Sequence, residues 1–516
     1  MPVVAAAFRR LLAVTAIRVA HRRATRALRA DPTPRGPLTA LALSVTVLIV
    51  TAALGPSAAA QSWPGAPPIA AHLHPSAGLV TALLVVAVLA GGYGLLGCLH
   101  ALKHAWAPDP KRLLAASALV VAVLAFLPPV GSADPGSYVG YGRLAATGHD
   151  PYATAPATLT GSYGAAVEDP WRAAPSIYGP LATGEQRLAA AVAGGGAHGP
   201  AHAVFLLDLV NALAFVLTGL LLQRIVTTTP GRRRAALLFS ANPLVLFVGV
   251  AGQHIDVLVA FLAVAAVAAI ARNRLTGVFV GGVLAGAAVA VKASAALVGV
   301  ALGWPLRRRP RLSLFRSGVF ALGAAAVLVP GYLLAGRHAF DQLRHASGFV
   351  SFADPWRIVT HPLELLLGHG AARDVVRILA WIAFAVMALV LKHGWPGKRS
   401  LPGRASPLGR HSVERAEAAA RSALVLVLAW LLTAPYVLPW YAVVAWALLA
   451  ALPASGYDRV LTIWTATLAI AYLPGRQAPL SRGLHDTLTV WKSGLAPVVL
   501  LGVAIAGVVL SFRRRA

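Results

Sequence analysis

Two Asp-Pro pairs, one His-x-Asp pair and one isolated lysine could carry chemistry in a sequence otherwise poor in charge. Asp134-Pro135 and Asp150-Pro151 lie in the stretch GSADPGSYVGYGRLAATGHDPY. A carboxylate at such a place can act as general base toward a hydroxyl nucleophile. Asp134-Pro135 also suits the start of a helix, since Asp is a good N-cap and Pro is favoured at the first helical position. Asp150, after Gly148, suits a turn better. His254 and Asp256 stand two apart near the start of an apolar run, as a helix cap with a polar neighbour or as part of a site. A metal would need more ligands than that neighbourhood offers. No obligatory protein-bound metal or other cofactor is expected, with a divalent ion left open. Lys292 is the single Lys or Arg between Arg274 and Arg307 and interrupts an apolar stretch. An ionisable residue at the edge of a membrane segment is a functional hypothesis by default, to be weighed against a snorkelling lysine. Arg344 and Arg357, in a later connection, are weaker candidates. Asp208, in FLLDLVN with Asn211 three residues on, either pairs with a polar group on another helix or faces a cavity.

The elements that must position these residues are membrane helices. The chain has 516 residues, 58% hydrophobic and only 12% charged, about half the charge of a soluble domain. Apolar runs near the length needed to cross a bilayer recur throughout. About fourteen are expected (12–14 as helices), near Pro37–Leu54, Leu79–Leu99, Leu113–Val130, Ala203–Ile225, Ala235–Val250, Ile255–Ala271, Leu275–Val291, Ala293–Trp304, Gly318–Leu334, Val375–Leu391, Ser422–Leu438, Tyr441–Leu452, Val460–Leu473 and Leu495–Phe512. The single cysteine, Cys98, rules out a disulfide within the chain and a cysteine metal site.

The net charge of +28, from 45 Lys+Arg against 17 Asp+Glu, would suggest nucleic acid in a soluble protein. Here the positive-inside rule explains it. With both termini cytoplasmic and the spans alternating, most basic residues fall on the cytoplasmic side, including Arg232–Arg234, Arg307–Arg309, the 392–421 loop and Arg513–Arg515. Asp134, Asp150, Glu168, Asp169, Glu185, Asp256, Asp341, Asp354, Glu364, Asp374 and Asp486 fall outside, eleven of the 17 acids. The chemistry is therefore expected on the outer face of a multi-pass cell-membrane protein, with no nucleic-acid partner. No cleavable signal peptide is evident, and the arginine-rich first thirty residues suit either a cytoplasmic amphipathic segment on anionic lipid or a basic tail.

Two connections are long, Gly131–Pro200 and Gly336–Arg373. Their aromatic content (Tyr138, Tyr141, Tyr152, Tyr163, Trp171 and Tyr178 in the first; Phe340, Phe349, Phe352 and Trp356 in the second) argues for folded loops at the headgroup level. Tyr138, Tyr141 and Leu144 share one face of a short helix. The expected organisation is a basic segment over 1–36, a transmembrane hairpin over 37–112, a core over 113–373 that includes outer loops 131–200 and 336–373, and C-terminal helices over 374–516 with the basic loop 392–421.

Asp134-Pro-Gly-Ser-Tyr138 through Tyr141-Gly-Arg143, Gly148-His-Asp-Pro-Tyr152, Asp169-Pro-Trp171, Ser176-Ile-Tyr178-Gly-Pro-Leu181, Asn242-Pro-Leu near Gln253-His-Ile-Asp256, Val291-Lys292-Ala and Pro435-Tyr-Val-Leu-Pro-Trp440-Tyr441 follow one another along the chain. Their order resembles that of the actinobacterial polyprenol-phosphate-mannose-dependent α-(1→6)-mannosyltransferases, from about Leu113 to Tyr441. At Ile255 this sequence departs from the family pattern, which has Asn nearby. The resemblance implies an all-α polytopic glycosyltransferase of the GT-C class with short surface helices in two large outer loops. It implies a polyprenyl-phosphate-mannose donor from the outer leaflet, and a mannan or lipomannan-type glycan or glycolipid as acceptor. Asp134 is then the candidate base, with Asp150 the second catalytic candidate and Asp169 held in reserve. Lys292, His254, Asp256, Tyr138, Arg143, Tyr178, Trp440 and Tyr441 are the candidate donor-binding residues. A polyprenyl-phosphate-arabinose or other GT-C transferase is the alternative within the class. A lipid or solute transporter is the alternative outside it, disfavoured because no internal repeat is visible and the acids lie in outer loops rather than at mid-span.

Overall fold

The computed structural model describes residues 33–303, 310–346, 348–394 and 410–513. Most of the basic segment 1–36, Arg307–Arg309 and much of the 392–421 loop lie outside the described residues. The described chain is helical. Its strand-like pairing is one isolated bridge, between Ala60 and Val130.

Eight described helices are long and apolar enough to cross a membrane, and four shorter ones are apolar: Asp256–Ala271, Leu275–Val291, Ala293–Gly303 and Pro439–Ala450. Each of the fourteen apolar runs overlaps a helix. Local sequence starts several of them. The Ser76 hydroxyl accepts from the amide of Leu79 at the head of Ala77–Leu102. Asp109 caps Pro110–Ala125 by accepting from Lys111 N, with Pro110 at the first position, where its missing N–H is no loss.

Small residues let the helices approach, as expected where lipid rather than water surrounds them. A Cβ at Gly94 would lie 2.8 Å from the backbone of Leu41, and one at Gly282 would lie 2.1 Å from the Phe320 carbonyl. The first contact joins Arg35–Leu54 to Ala77–Leu102; the second joins Leu275–Val291 to Pro310–Ala335. At one end of the bundle the buried Arg234 pairs with Asp458 and donates to the carbonyls of Leu449 and Leu452.

The first long connection is folded. It carries helices Asp134–Ala146, Gly161–Ala166 and Pro180–Ala193, and Tyr138, Tyr141 and Leu144 are all buried along one face. Helix Asp134–Ala146 nests on its neighbours through glycines: a Cβ at Gly136 would meet the Ala166 carbonyl at 2.0 Å and one at Gly142 the Gln186 carbonyl at 2.2 Å. One arginine ties this loop to two others. Arg476 Nε donates to Glu168 Oε1 at 2.6 Å, and its Nη1 donates to the carbonyls of Ser57 and Ala60 at 2.7 and 2.9 Å. Gln477 N adds a bond to Glu168 Oε2 at 2.9 Å, and Gln61 Nε2 donates to the Ala166 carbonyl at 2.8 Å. The loop of the first helical hairpin is thus part of the floor under the first long connection.

The second long connection carries the short helices Arg337–Phe340 and Asp341–Ala346. Helix Arg357–Gly394 is two helices meeting at the non-helical Gly368 (φ 78°), so its first part lies within the 336–373 connection and its second carries the apolar run Val375–Leu391.

Candidate active site

Asp134 is the first residue of its helix rather than its cap. The preceding Ala133 occupies the cap position, no side chain caps the turn, and the Asp134 amide donates to Ser132 Oγ at 3.0 Å. Its carboxylate is left for other contacts, at a helix N-terminus that favours negative charge. Oδ2 accepts from Tyr138 OH at 3.4 Å and faces His254 Nδ1 at 3.3 Å; the Asp134 side chain stays 15% exposed. The His254 contact is close but not aligned as a hydrogen bond, and Nδ1 has no other partner.

His254 comes from a tight turn between the π-helical segment Leu246–Ala251 and helix Asp256–Ala271. Gln253 adopts φ 54° there, an unusual conformation for a side-chain-bearing residue, anchored by its Nε2 donating to the Val204 carbonyl at 2.6 Å. The imidazole is fully buried and stacks on Trp440, with centroids 3.7 Å apart and planes within 11°.

The second half of the site is an ion pair. Lys292, just past helix Leu275–Val291, donates to Asp256 Oδ1 and Oδ2 at 2.9 and 2.7 Å. Its ammonium lies 3.8 Å from the ring centroid of Tyr441, a cation–π contact. Tyr441 stacks on Trp430 and meets Trp440 edge-on. Asp134, His254, Trp440, Tyr441, Lys292 and Asp256 therefore form a chain of contacts from four segments, which the turn from His254 to Asp256 closes into a ring. Tyr138 and Tyr178 line it, their rings edge-to-face at 5.2 Å. Burial, with the Asp134 charge adding to it, raises both phenols well above their usual range, so both are neutral hydrogen-bond donors.

Two of the expected residues lie elsewhere. Arg143 is nine residues along the Asp134 helix, roughly 13 Å by helical rise, and packs over the Tyr163 ring at 5.2 Å. Asp150 lies beyond the far end of the same helix. Its Oδ1 accepts from Tyr152 N at 2.9 Å, the turn that Gly148-His-Asp-Pro suggested. Asp169 adjoins Glu168, the partner of Arg476. Among the described residues no three His, Cys, Asp or Glu side chains converge as a metal site would require.

Tyr472 belongs to the site without any motif to mark it. It packs on Trp440 at 5.7 Å and meets Ser351 Oγ at 3.1 Å, joining the second long connection to the ring. Behind Tyr138 a small cavity is lined by Glu185, Gln186, Asn211 and Gln253 together with Leu207, Ile255 and Leu258. Glu185 Oε2, both amide atoms of Gln186, Asn211 Oδ1 and Gln253 Oε1 have no protein partner, and the space has room for roughly one water molecule. Burial lifts the Glu185 carboxyl to about 7.

The family described as alpha-(1->6)-mannopyranosyltransferase, N-terminal domain, matches residues 39–308. The chain belongs to this mannosyltransferase family. The family is one of glycosyltransferases, and eight described helices of this chain are long and apolar enough to cross a membrane. The matched part carries Asp134, His254, Asp256 and Lys292, while Trp440 and Tyr441 complete the ring from beyond it. No curated protein matches in sequence. Among solved structures, the apo crystal structure of the Archaeoglobus fulgidus oligosaccharyltransferase is similar over 77% of this chain at 14% identity, with a TM-score of 0.35. This chain spans 56% of the length of that protein.

Proposed function

We propose that this mannosyltransferase moves mannose from a polyprenyl-phosphate-mannose donor to an α-(1→6)-mannan or lipomannan-type acceptor, at the outer face of the cell membrane, with both termini cytoplasmic and a GT-C organisation. The reaction is a single displacement. The acceptor 6-hydroxyl attacks the anomeric carbon, Asp134 takes the hydroxyl proton, and the bond from that carbon to the phosphate oxygen breaks. Polyprenyl phosphate leaves with the electron pair. Inversion at the anomeric carbon means that an α-linked product requires a β-linked donor.

The observation that carries this reading is the placement of Asp134. Its carboxylate is the more exposed of the ring's two acids, 15% against 3% for Asp256, held on a rigid helix start and facing His254. That is where a base must stand to meet a water-borne acceptor at the headgroup level. His254, clamped by Trp440, positions the carboxylate. Lys292 has two of its three ammonium hydrogens directed at Asp256, so a donor phosphate there would share the cation with a carboxylate. Its part in donor binding is to order Asp256 and Tyr441 and to offer the one remaining hydrogen.

The test is a transfer assay. Purified protein in lipid is given labelled polyprenyl-phosphate-mannose and a short α-(1→6)-mannoside; elongation by an α-(1→6) linkage, with release of polyprenyl phosphate, is expected. Elongation only from a pentose donor would replace mannose with arabinose, and no transfer from any lipid-phosphate sugar would overturn the reading.

A further inference from the structure

Most cations around the ring have a partner that quenches them. Lys292 is held by Asp256 and Arg476 by Glu168. Two others converge on one aromatic ring instead. Arg357 Cζ lies 4.9 Å and Lys492 Nζ 4.6 Å from the centroid of Phe352. Among the described residues neither forms an ion pair with a carboxylate. The nearest acid along the chain, Asp354, is buried at 2% exposure with its Oδ1 accepting from Trp356 N. Burial raises the Asp354 carboxyl above its usual range, and no ion pair joins it to either cation among the described residues.

Two like charges gathered on one ring without an anion repel each other, and the setting of Lys492 makes that arrangement a built one. It sits in the π-helical segment Val490–Leu495, in the last long apolar stretch of the described chain. Such insertions cluster at functional sites, and a charge in an apolar span marks function by default. Lys492 also lies 5.9 Å from the ring of Tyr472, which packs on Trp440, which stacks on His254. The cation pair is therefore three rings, Tyr472, Trp440 and His254, from the carboxylate of Asp134. Apolar side chains around it face outward: Ile358, Val359, Val490 and Leu495 are 49%, 42%, 62% and 53% exposed. A ligand here meets two positive charges and an aromatic wall at one end and open apolar surface at the other.

We propose that Arg357 and Lys492 bind the phosphate of a lipid phosphate whose hydrocarbon chain lies along this apolar surface; given the function proposed above, that lipid is the sugar donor and, after transfer, its polyprenyl phosphate product. The guanidinium supplies two parallel N–H donors to phosphate oxygens and the ammonium supplies a point charge. The cation pair takes up the negative charge that grows on the leaving phosphate, while Asp134 acts on the acceptor.

The test separates this binding site from the catalytic reading by measuring binding without turnover. The full-length protein in neutral-lipid nanodiscs is titrated with polyprenyl phosphate, with polyprenol lacking the phosphate, and with phosphatidylglycerol, for wild type, Arg357→Gln/Lys492→Gln, Arg357→Lys/Lys492→Arg and Asp134→Asn. Loss of charge-assisted bonds should weaken polyprenyl phosphate binding on the order of tenfold for each cation removed. The charge-retaining double variant should recover most of it, Asp134→Asn should bind as wild type does, and polyprenol should bind equally weakly to all four. Equal binding of polyprenyl phosphate to wild type and the double glutamine variant would overturn the proposal. So would phosphatidylglycerol competing as well as polyprenyl phosphate, because the pair would then be an anchor for bulk headgroups. A fully active Asp134→Asn protein would overturn the base assignment and leave this binding result standing.

Discussion

The carboxylate of Asp134 and the imidazole of His254 face each other across 3.3 Å, although they come from positions 120 residues apart on two different helix starts. His254 cannot turn away, because Trp440 lies flat against it at 3.7 Å. The carboxylate is thus held by its helix on one side and by a clamped ring on the other. Trp440→Ala should release the ring and lower kcat for sugar transfer more than it raises KM for the donor. A change confined to KM would place Trp440 on the donor instead.

The pair Lys292–Asp256 is buried, and removing one partner of such a pair leaves a charge stranded. Lys292→Ala should destabilise the protein by about 3–5 kcal/mol, read as a lower thermal midpoint in detergent. Lys292→Met with Asp256→Leu should regain part of that stability while transfer stays impaired. A Lys292→Ala protein as stable as wild type would mean that Asp256 is not committed to this lysine.

Glu185 makes stability depend on pH. Its carboxyl titrates near 7 in the folded protein against an ordinary 4.5. Below pH 4.5 it is neutral folded or unfolded and contributes nothing. Between 4.5 and 7 the unfolded chain gives up the proton while the folded chain keeps it, so stability falls as pH rises. Above 7 the penalty is complete, roughly 3 kcal/mol at most. Glu185→Gln should raise the thermal midpoint at pH 8 and leave it nearly unchanged at pH 4.5. Equal effects at both pH values would contradict a titration at this residue.

Arg476 binds Glu168 and two carbonyls of the 57–60 loop, so Arg476→Ala releases three contacts at once. The segment around the exposed Arg172 should then open more often. Trypsin cleavage after Arg172 in reconstituted protein should accelerate by roughly tenfold or more, since each kcal/mol of lost local stability multiplies the open population. An unchanged cleavage rate would show that glycine-mediated packing alone holds this loop.

Much of this was readable before the structure, for a physical reason. Helix starts and ends cluster at one depth in a membrane, so Asp134, His254, Asp256, Lys292 and Trp440-Tyr441, each at such a boundary, were positioned to meet. Arg143 and Asp150 belong to the same motifs but are carried away from Asp134 by the length of the intervening helix. The pairing of Lys292 with Asp256 spans 36 positions, and no local pattern announces it. Tyr472, Arg476 and Glu185 act through contacts between distant loops, which single-sequence periodicity does not encode.

The central claim is that Asp134 is the base, and the most direct measurement is the transfer rate of Asp134→Asn. The asparagine keeps the size of the side chain and can still accept from Tyr138. It cannot take the acceptor proton as a carboxylate can. With wild-type protein level, thermal midpoint and polyprenyl phosphate binding, the variant should lose on the order of a hundredfold or more in transfer rate, and Asp150→Asn should stay within a few-fold of wild type, on the order of a turn contact. An Asp134→Asn enzyme that transfers mannose at the wild-type rate would contradict the account.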